Sequence, residues 1–151
     1  MNSKLKSLRL AAYRRMNFED PEQDDSVQSL HRMWEESAEA VRYCTRCLNN
    51  TASLSPNEEA EFLLTILVCQ QATIRDYALL DQTIDRAFNL LPRITDDRLR
   101  LHLLVQLFAE TEDETLLPDI DLLVKDLISQ DEEDRYILQS YQLLKEYPTC
   151  F

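Results

Sequence analysis

Apolar residues recur along most of this chain at intervals of three and four residues, the spacing that places them on one face of an α-helix. Seven such stretches follow one another, separated by polar or proline-containing segments. They begin near Ser3, Ser26, Ser55, Leu79, Thr95 or Asp96, Asp113 and Asp131. The pattern therefore predicts an all-α chain of about six or seven helices.

The first two helices each have an apolar stripe that indicates a packing face. In the first helix the stripe consists of Leu5, Leu8, Ala12 and Met16. The second helix is predicted from near Ser26 to about Leu48 and has six large or apolar residues on one side. These residues are Leu30, Met33, Trp34, Val41, Cys44 and Leu48.

Several helix ends carry recognisable signals. Ser55 is followed by a proline at the first helical position and by Glu58 three residues later, which is a capping box. Pro92 ends the fourth helix, because the residue before a proline is pushed away from helical geometry. The pair Asn49-Asn50 is a predicted stop for the second helix, since Asn is the best substitute for glycine at a helix end.

Helices joined by short polar turns are expected to stack as antiparallel helical hairpins in a single domain. Within it we distinguish two parts. Residues 1–25 are a basic N-terminal helix and an acidic linker around Pro21, which breaks that helix, and residues 26–151 are the main helical domain. The clear starts near 56, 96 and 131 resemble the spacing of tetratricopeptide repeats, but the landmark residues of that repeat are missing. The repeat is therefore an architectural analogy.

Composition excludes several function classes. The chain has 151 residues and no glycine, although average usage is about 7%. Without glycine there is no phosphate-binding loop, no dinucleotide fingerprint and no nucleophile elbow. The Ser, Thr, Cys and carboxylate residues also lack a recognisable catalytic context, and we expect no enzymatic activity and no cofactor.

The charge is strongly acidic and unevenly distributed. There are 28 Asp and Glu residues against 16 Lys and Arg, a net charge of −12. Residues 1–16 contain five cations and no acid, so the remainder carries 28 acids against 11 bases. This balance disfavours direct binding to nucleic acid. The basic segment has three interpretations, a helix packed on the acidic body, an arm that reaches a partner, or a membrane-surface helix, and we favour the first.

An acidic concentration lies between Glu110 and Asp134, with Lys125 as its one cation. By default such a stretch is a solvated face. The sharper interpretation is a docking surface for a basic partner, in which charge steers the encounter and apolar residues supply affinity.

Cys44 and Cys47 form the one motif that could carry metal or redox chemistry. A zinc site needs two more ligands, and no second pair exists, since Cys69 and Cys150 are isolated. A redox pair usually lies at a strand-to-helix turn, whereas this pair ends an amphipathic helix. We therefore interpret both as small residues on a packing face and expect no metal. His31 and His102 are expected to be half-buried surface residues.

Targeting signals are also missing. The basic start is not followed by a long apolar stretch with a small-residue cleavage site. The longest apolar run, Phe62 to Cys69, is far shorter than the roughly 20 residues that cross a bilayer, so we expect a buried helix there. These features predict a cytoplasmic protein without a membrane partner.

From Ser55 onward the order of five segments is that of one known family. The segments are Pro56–Ile74, Ile84–Pro92, Arg98–Glu110, Asp113-Glu114 with Leu116, and Leu143–Pro148. In this order they resemble the UpxZ family, antagonists of transcription antitermination encoded in Bacteroides capsular polysaccharide loci. Cys69 and Ala109 stand where the family has glycine, and Gln70 and Phe108 where it has tyrosine. The N-terminal third aligns poorly.

The resemblance implies a function by binding. Each capsule locus makes a NusG-like (UpxY-type) factor that lets RNA polymerase pass terminators, and a UpxZ-type protein blocks the factors of other loci, so that one capsule operon is expressed at a time. We predict that a cluster of four acidic residues forms the surface that contacts the partner. A cluster of three basic residues is the second candidate for this contact surface. The acids are Glu110, Glu112, Asp113 and Glu114, and the cations are Lys4, Lys6 and Arg9. The alternative is a general tetratricopeptide-like interaction scaffold.

Overall fold

A computed structural model describes residues 2–146 and contains seven α-helices in that range. Their bounds are α1 Ser3–Met16, α2 Val27–Asn50, α3 Pro56–Gln70, α4 Tyr77–Leu90, α5 Asp97–Thr111, α6 Leu117–Lys125 and α7 Glu132–Glu146. Short 3₁₀ turns cover Leu91–Arg93 and Glu114–Leu116, and residues 2–146 form no strand. The prediction of an all-α chain with six or seven helices is confirmed. The final positions of the resemblance, Tyr147 and Pro148, and the isolated Cys150 lie outside the described residues.

Most helices begin where a polar side chain caps the first turn. Ser55 accepts a hydrogen bond from the Glu58 amide and the Glu58 carboxylate accepts one from the Ser55 amide, so the predicted capping box is present. Asp96 caps α5 and Ser26 caps α2 in the same way. Each bond satisfies an amide that the helix itself leaves unpaired.

Helices α3 and α5 form the centre of the molecule. Every residue from Ala60 to Gln70 is buried, and so is every residue from Leu101 to Phe108. The reason is that α3 contacts α1, α2, α4 and α5, while α5 contacts α3, α6 and α7. Because neighbouring helices surround both, they are buried on all sides, and most of their buried side chains are apolar. The predicted buried helix over Phe62 to Cys69 is therefore confirmed. No helix in the described range is long and apolar enough to cross a membrane.

Helix α1 is part of the same core. Leu5, Ala12 and Tyr13 are buried, and the helix contacts α2, α3 and α7. The interpretation that the basic segment packs on the acidic body is confirmed. Helix α1 therefore shares its hydrophobic core with the helices that follow residue 26.

Helix α2 differs from the predicted packing along its first half. It has 24 residues whereas α3 has 15, and the short 51–55 connection places its C-terminal end beside the start of α3. Its N-terminal half therefore extends past the end of α3. Cys44 and Leu48 are buried as expected, but Leu30 and Trp34 are exposed, so their assignment to the packing face is wrong.

Among residues 2–146, two take the left-handed conformation that favours glycine, Phe18 at φ 57° and Glu112 at φ 56°. Glu112 is the C-cap of α5. The predicted stop at Asn49-Asn50 has a different geometry, since α2 runs through Asn50 and is capped by Thr51 in an extended conformation. A chain without glycine thus places ordinary residues at two positions where glycine would cost less.

Candidate protein-binding surface

The four acids predicted as a contact surface differ in their exposure and in their bonds to other residues. Glu110 forms a two-point ion pair with Arg75, at 2.7 and 2.8 Å, and its side chain is only 7% exposed. Asp113 accepts hydrogen bonds from the Thr115 amide and hydroxyl. Glu112 and Glu114 are exposed. Two of the four acids are therefore open to a partner, and Glu110 is held inside the protein's own surface.

The three cations predicted as the second candidate surface also differ in exposure and in their partners. Arg9 is 1% exposed, so the prediction that it lies on an exposed contact surface is wrong. Lys6 Nζ lies 2.6 Å from the Asp131 carboxylate. Lys4 is exposed and lies over the Tyr43 ring, 3.9 Å from its centroid.

Arg9 is the centre of a buried ionic cluster that joins α1, α3 and α7. Its Nε donates to Glu133 at 2.5 Å and its Nη1 donates to Glu61 at 2.7 Å and to Thr65 at 3.0 Å. Burial opposes the charge on Glu133, but hydrogen bonds from His102 and Arg9 outweigh it and lower the pKa of Glu133 to about 2. The acid and the guanidinium are therefore both charged inside the protein.

His102 extends this cluster to α5. Its Nε2 lies 2.7 Å from Asp134 and its Nδ1 lies 3.6 Å from Glu133. The side chain is buried, so the prediction of a half-buried surface histidine is wrong for His102, whereas His31 is exposed. Burial lowers the pKa of His102, but its bonds to Asp134 and Glu133 raise it more, and the net shift is upward. We interpret the cluster as a cross-link between four helices.

The cysteines are free thiols in the described range. Cys44 and Cys69 are buried, and Cys47 is partly buried beside them on the same helix as Cys44. Burial raises the pKa of Cys44 to about 12, and that of Cys69 equally. Among residues 2–146 there is no group of three or more His, Cys, Asp or Glu side chains that could hold a metal ion.

A surface that the sequence did not predict runs along α2. Val27, Leu30 and Trp34 are exposed on the part of α2 that extends past α3. The same face continues into a groove of about 430 Å³ between α2 and the start of α4. Its lining includes Ala38, Val41, Gln70, Ile74 and Leu79. The unequal lengths of α2 and α3 are the sequence signal that could have revealed it.

Comparison with known proteins supports the fold but does not identify a contact surface. No family model matches the sequence, and no curated protein matches it. The structure is similar to the crystal structure of a transcription anti-terminator antagonist UpxZ from Bacteroides uniformis ATCC 8492, with a TM-score of 0.73 and 20% identity. The match covers 97% of this chain and 92% of that one. The chain therefore has a UpxZ-like fold, including the N-terminal third that could not be aligned by sequence.

Proposed function

We propose that this protein is an antagonist of transcription antitermination that binds a NusG-like (UpxY-type) factor. The observation that carries the proposal is the shared fold, which extends over nearly the whole of both chains. The order of the sequence segments between Pro56 and Pro148, which resembles that of the same family, also supports it.

The proposed mechanism is inhibition by binding, without turnover and without a cofactor. A NusG-like factor must contact RNA polymerase and nucleic acid, and an acidic helical protein with a net charge of −12 is suited to cover a basic surface on it. Blocking the factors of other loci would leave one capsule operon expressed at a time. This role places the protein in the cytoplasm, where the polymerase works.

Within this proposal, the exposed acids contribute mainly to the rate of encounter. Glu112 and Glu114 are free to attract a basic partner, whereas Glu110 is already neutralised by Arg75. Exposed rim charges change association rates more than they change the lifetime of a complex. The lifetime must therefore come from apolar contacts elsewhere on the surface.

The direct test is transcription through a capsule-operon leader with purified RNA polymerase and a NusG-like factor. Readthrough is expected to fall as this protein is added and to reach its minimum near stoichiometric amounts. Polymerase alone is the control, and its basal termination should not change. Readthrough that stays constant in excess protein, for every factor tried, would contradict the proposal.

A further inference from the structure

An apolar face of α2 lies without a covering element over the half of the helix that extends past α3. Val27 is 74% exposed, Leu30 43% and Trp34 38%. The three positions recur at intervals of three and four residues, so they share one face of the helix. The same spacing continues through Ala38 and Val41, which line the groove. The exposed face and the groove are therefore one continuous surface, as in sites that accept an apolar helix face.

Gln70, one of the residues that line the groove, has a buried amide without a hydrogen-bond partner in the described part of the chain. Gln70 is 1% exposed, and neither its Oε1 nor its Nε2 is paired there. A buried amide left in this condition costs about 1–3 kcal/mol. Because the side chain offers one acceptor and one donor side by side, its complement is a group that offers the same pair, such as a peptide unit or another side-chain amide.

The charges around this surface favour a cationic occupant. Residues 20–46 contain seven acids against three arginines. Two of these arginines, Arg42 and Arg46, lie at the rim of the groove, and both are within ion-pair distance of Glu39. Glu35 is paired with Arg42 as well, so this part of the border is neutral. The acidic part is the end next to Val27, where Asp24 and Asp25 are exposed and form no ion pair among residues 2–146. An apolar strip with this acidic end is complementary to an amphipathic helix that has basic residues beside its apolar face.

A second copy of this chain fits the surface less well. Each copy carries a net charge of −12, so an isologous contact would bring two strongly acidic molecules together. Like charges at a contact oppose association.

We propose that the exposed face of α2, together with the groove that Gln70 lines, binds a cationic amphipathic α-helix of the antitermination factor. This inference rests on the proposed function, which supplies the partner. The helix places its apolar residues on Val27, Leu30 and Trp34, and an amide group near its end pairs with Gln70.

The test measures binding of the purified NusG-like factor by calorimetry and, in parallel, inhibition of readthrough. The surface variant is Val27→Gln with Leu30→Gln, which removes apolar contact and keeps good helix formers. Its matched control is Leu122→Gln with Leu143→Gln, two residues of similar exposure on α6 and α7. The surface variant is expected to bind at least about tenfold more weakly, and the control is expected to bind as the wild type does.

Gln70→Met is the second variant, because it removes the amide and keeps the length of the side chain. The free protein should be as stable as the wild type or more stable, since no buried amide is left unpaired. Binding should weaken roughly tenfold, since the amide pair is lost. Unchanged binding, or a less stable free protein that binds normally, would show that the amide serves the fold and would overturn its assigned role.

The outcomes separate this inference from the proposed function. If the wild type and the α2 variant both bind and inhibit equally, the function stands and the surface is wrong. If the wild type binds no factor, both are wrong. If light scattering shows a wild-type dimer that the α2 variant abolishes, the occupant is a second copy and the inference is overturned.

Discussion

Arg9 Nε lies 2.5 Å from Glu133 Oε2 in the interior of the protein, although the two residues are 124 positions apart in the chain. The same guanidinium donates to Glu61 on the central helix α3. One side chain thus connects the first helix, the central helix and the last helix. The pair is fully enclosed, so each partner depends on the other for the solvation that water no longer provides.

Replacing Arg9 with Met is expected to lower the free energy of unfolding by about 3–5 kcal/mol, because it leaves Glu61 as a buried charge without a cation and Glu133 with His102 as its remaining partner. Urea denaturation followed by circular dichroism measures the change. Arg14→Met is the control, since Arg14 pairs with Glu132 at 2.6 Å on the same two helices but at the surface. Its cost should be within about 1 kcal/mol. If the two variants lose the same free energy of unfolding, burial does not explain the cost of removing Arg9.

Stability is expected to fall below about pH 4.5 because of Glu133. Burial raises the pKa of this carboxyl, but hydrogen bonds from His102 and Arg9 lower it further, to about 2, against an ordinary value of 4.5. A lowered pKa contributes stability above the ordinary value, and the contribution is lost as pH falls toward 2. Urea titrations from pH 2 to 6 measure this acid limb. Glu133→Gln should be less stable at neutral pH but should show a flatter acid limb.

Stability is also expected to fall on the alkaline side because of His102. The pKa of this imidazole is raised above its ordinary 6.5, since its bonds to Asp134 and Glu133 outweigh the opposing effect of burial. A raised pKa contributes stability that is complete below 6.5 and is lost as pH rises through the folded-state value. NMR titration of the imidazole protons checks the direction. A folded-state pKa below 6.5 would contradict the charged cluster.

Glu112→Gly is expected to stabilise the protein, which is unusual for a glycine substitution. Glu112 caps α5 at φ 56°, where a side chain clashes with the backbone and glycine does not. We expect a gain of roughly 0.5–1 kcal/mol after the entropy of the unfolded chain is counted. Differential scanning calorimetry measures it. Glu114→Gly, in the following 3₁₀ turn, is the control and should give no gain.

Cys44 and Cys69 are expected to resist thiol reagents in the folded protein. Burial raises the pKa of each to about 12, so almost no thiolate is present at pH 8. Iodoacetamide labelling followed by peptide mass spectrometry should modify these two residues only after unfolding in urea. Rapid modification of either residue in the native state would indicate a reactive thiol and would reopen the question of redox chemistry.

Glu112→Lys with Glu114→Lys is expected to slow association with the antitermination factor several-fold, with little change in the dissociation rate. Both acids are exposed, so they act on the encounter through their charge. Surface plasmon resonance at low and high salt measures the two rates, and salt should diminish the difference. Glu110→Gln is the comparison, because this acid is held by Arg75 and should affect stability more than association.

The local structure could be predicted from the sequence because its causes lie within a few residues. The capping box at Ser55 and Glu58, the cap at Asp96 and the ending of α4 before Pro92 all depend on contacts across one turn. Apolar spacing identified seven helices for a similar reason. The resemblance from Ser55 onward led to the same fold as the structural comparison.

The exposure of individual surface residues could not be predicted in the same way, because it depends on which helix covers which. Glu110 was predicted to be an exposed contact, but Arg75 from another part of the chain neutralises it. Leu30 and Trp34 have the spacing of a packing face, yet α3 ends before it can cover them. The spacing of apolar residues predicts that a helix has an apolar face, but it does not predict which element packs against that face.

By itself, then, the sequence determined the seven helices, most of their ends and the acidic balance of the chain. Only the tertiary structure decided that Arg9 is buried between Glu61 and Glu133 and that the face of α2 with Val27, Leu30 and Trp34 is left exposed. The physical reason is the distance along the chain between the residues that interact. A cap or an apolar stripe is fixed by neighbours along the chain, whereas the burial of a charge or the exposure of a leucine is fixed by residues that only folding brings within contact distance.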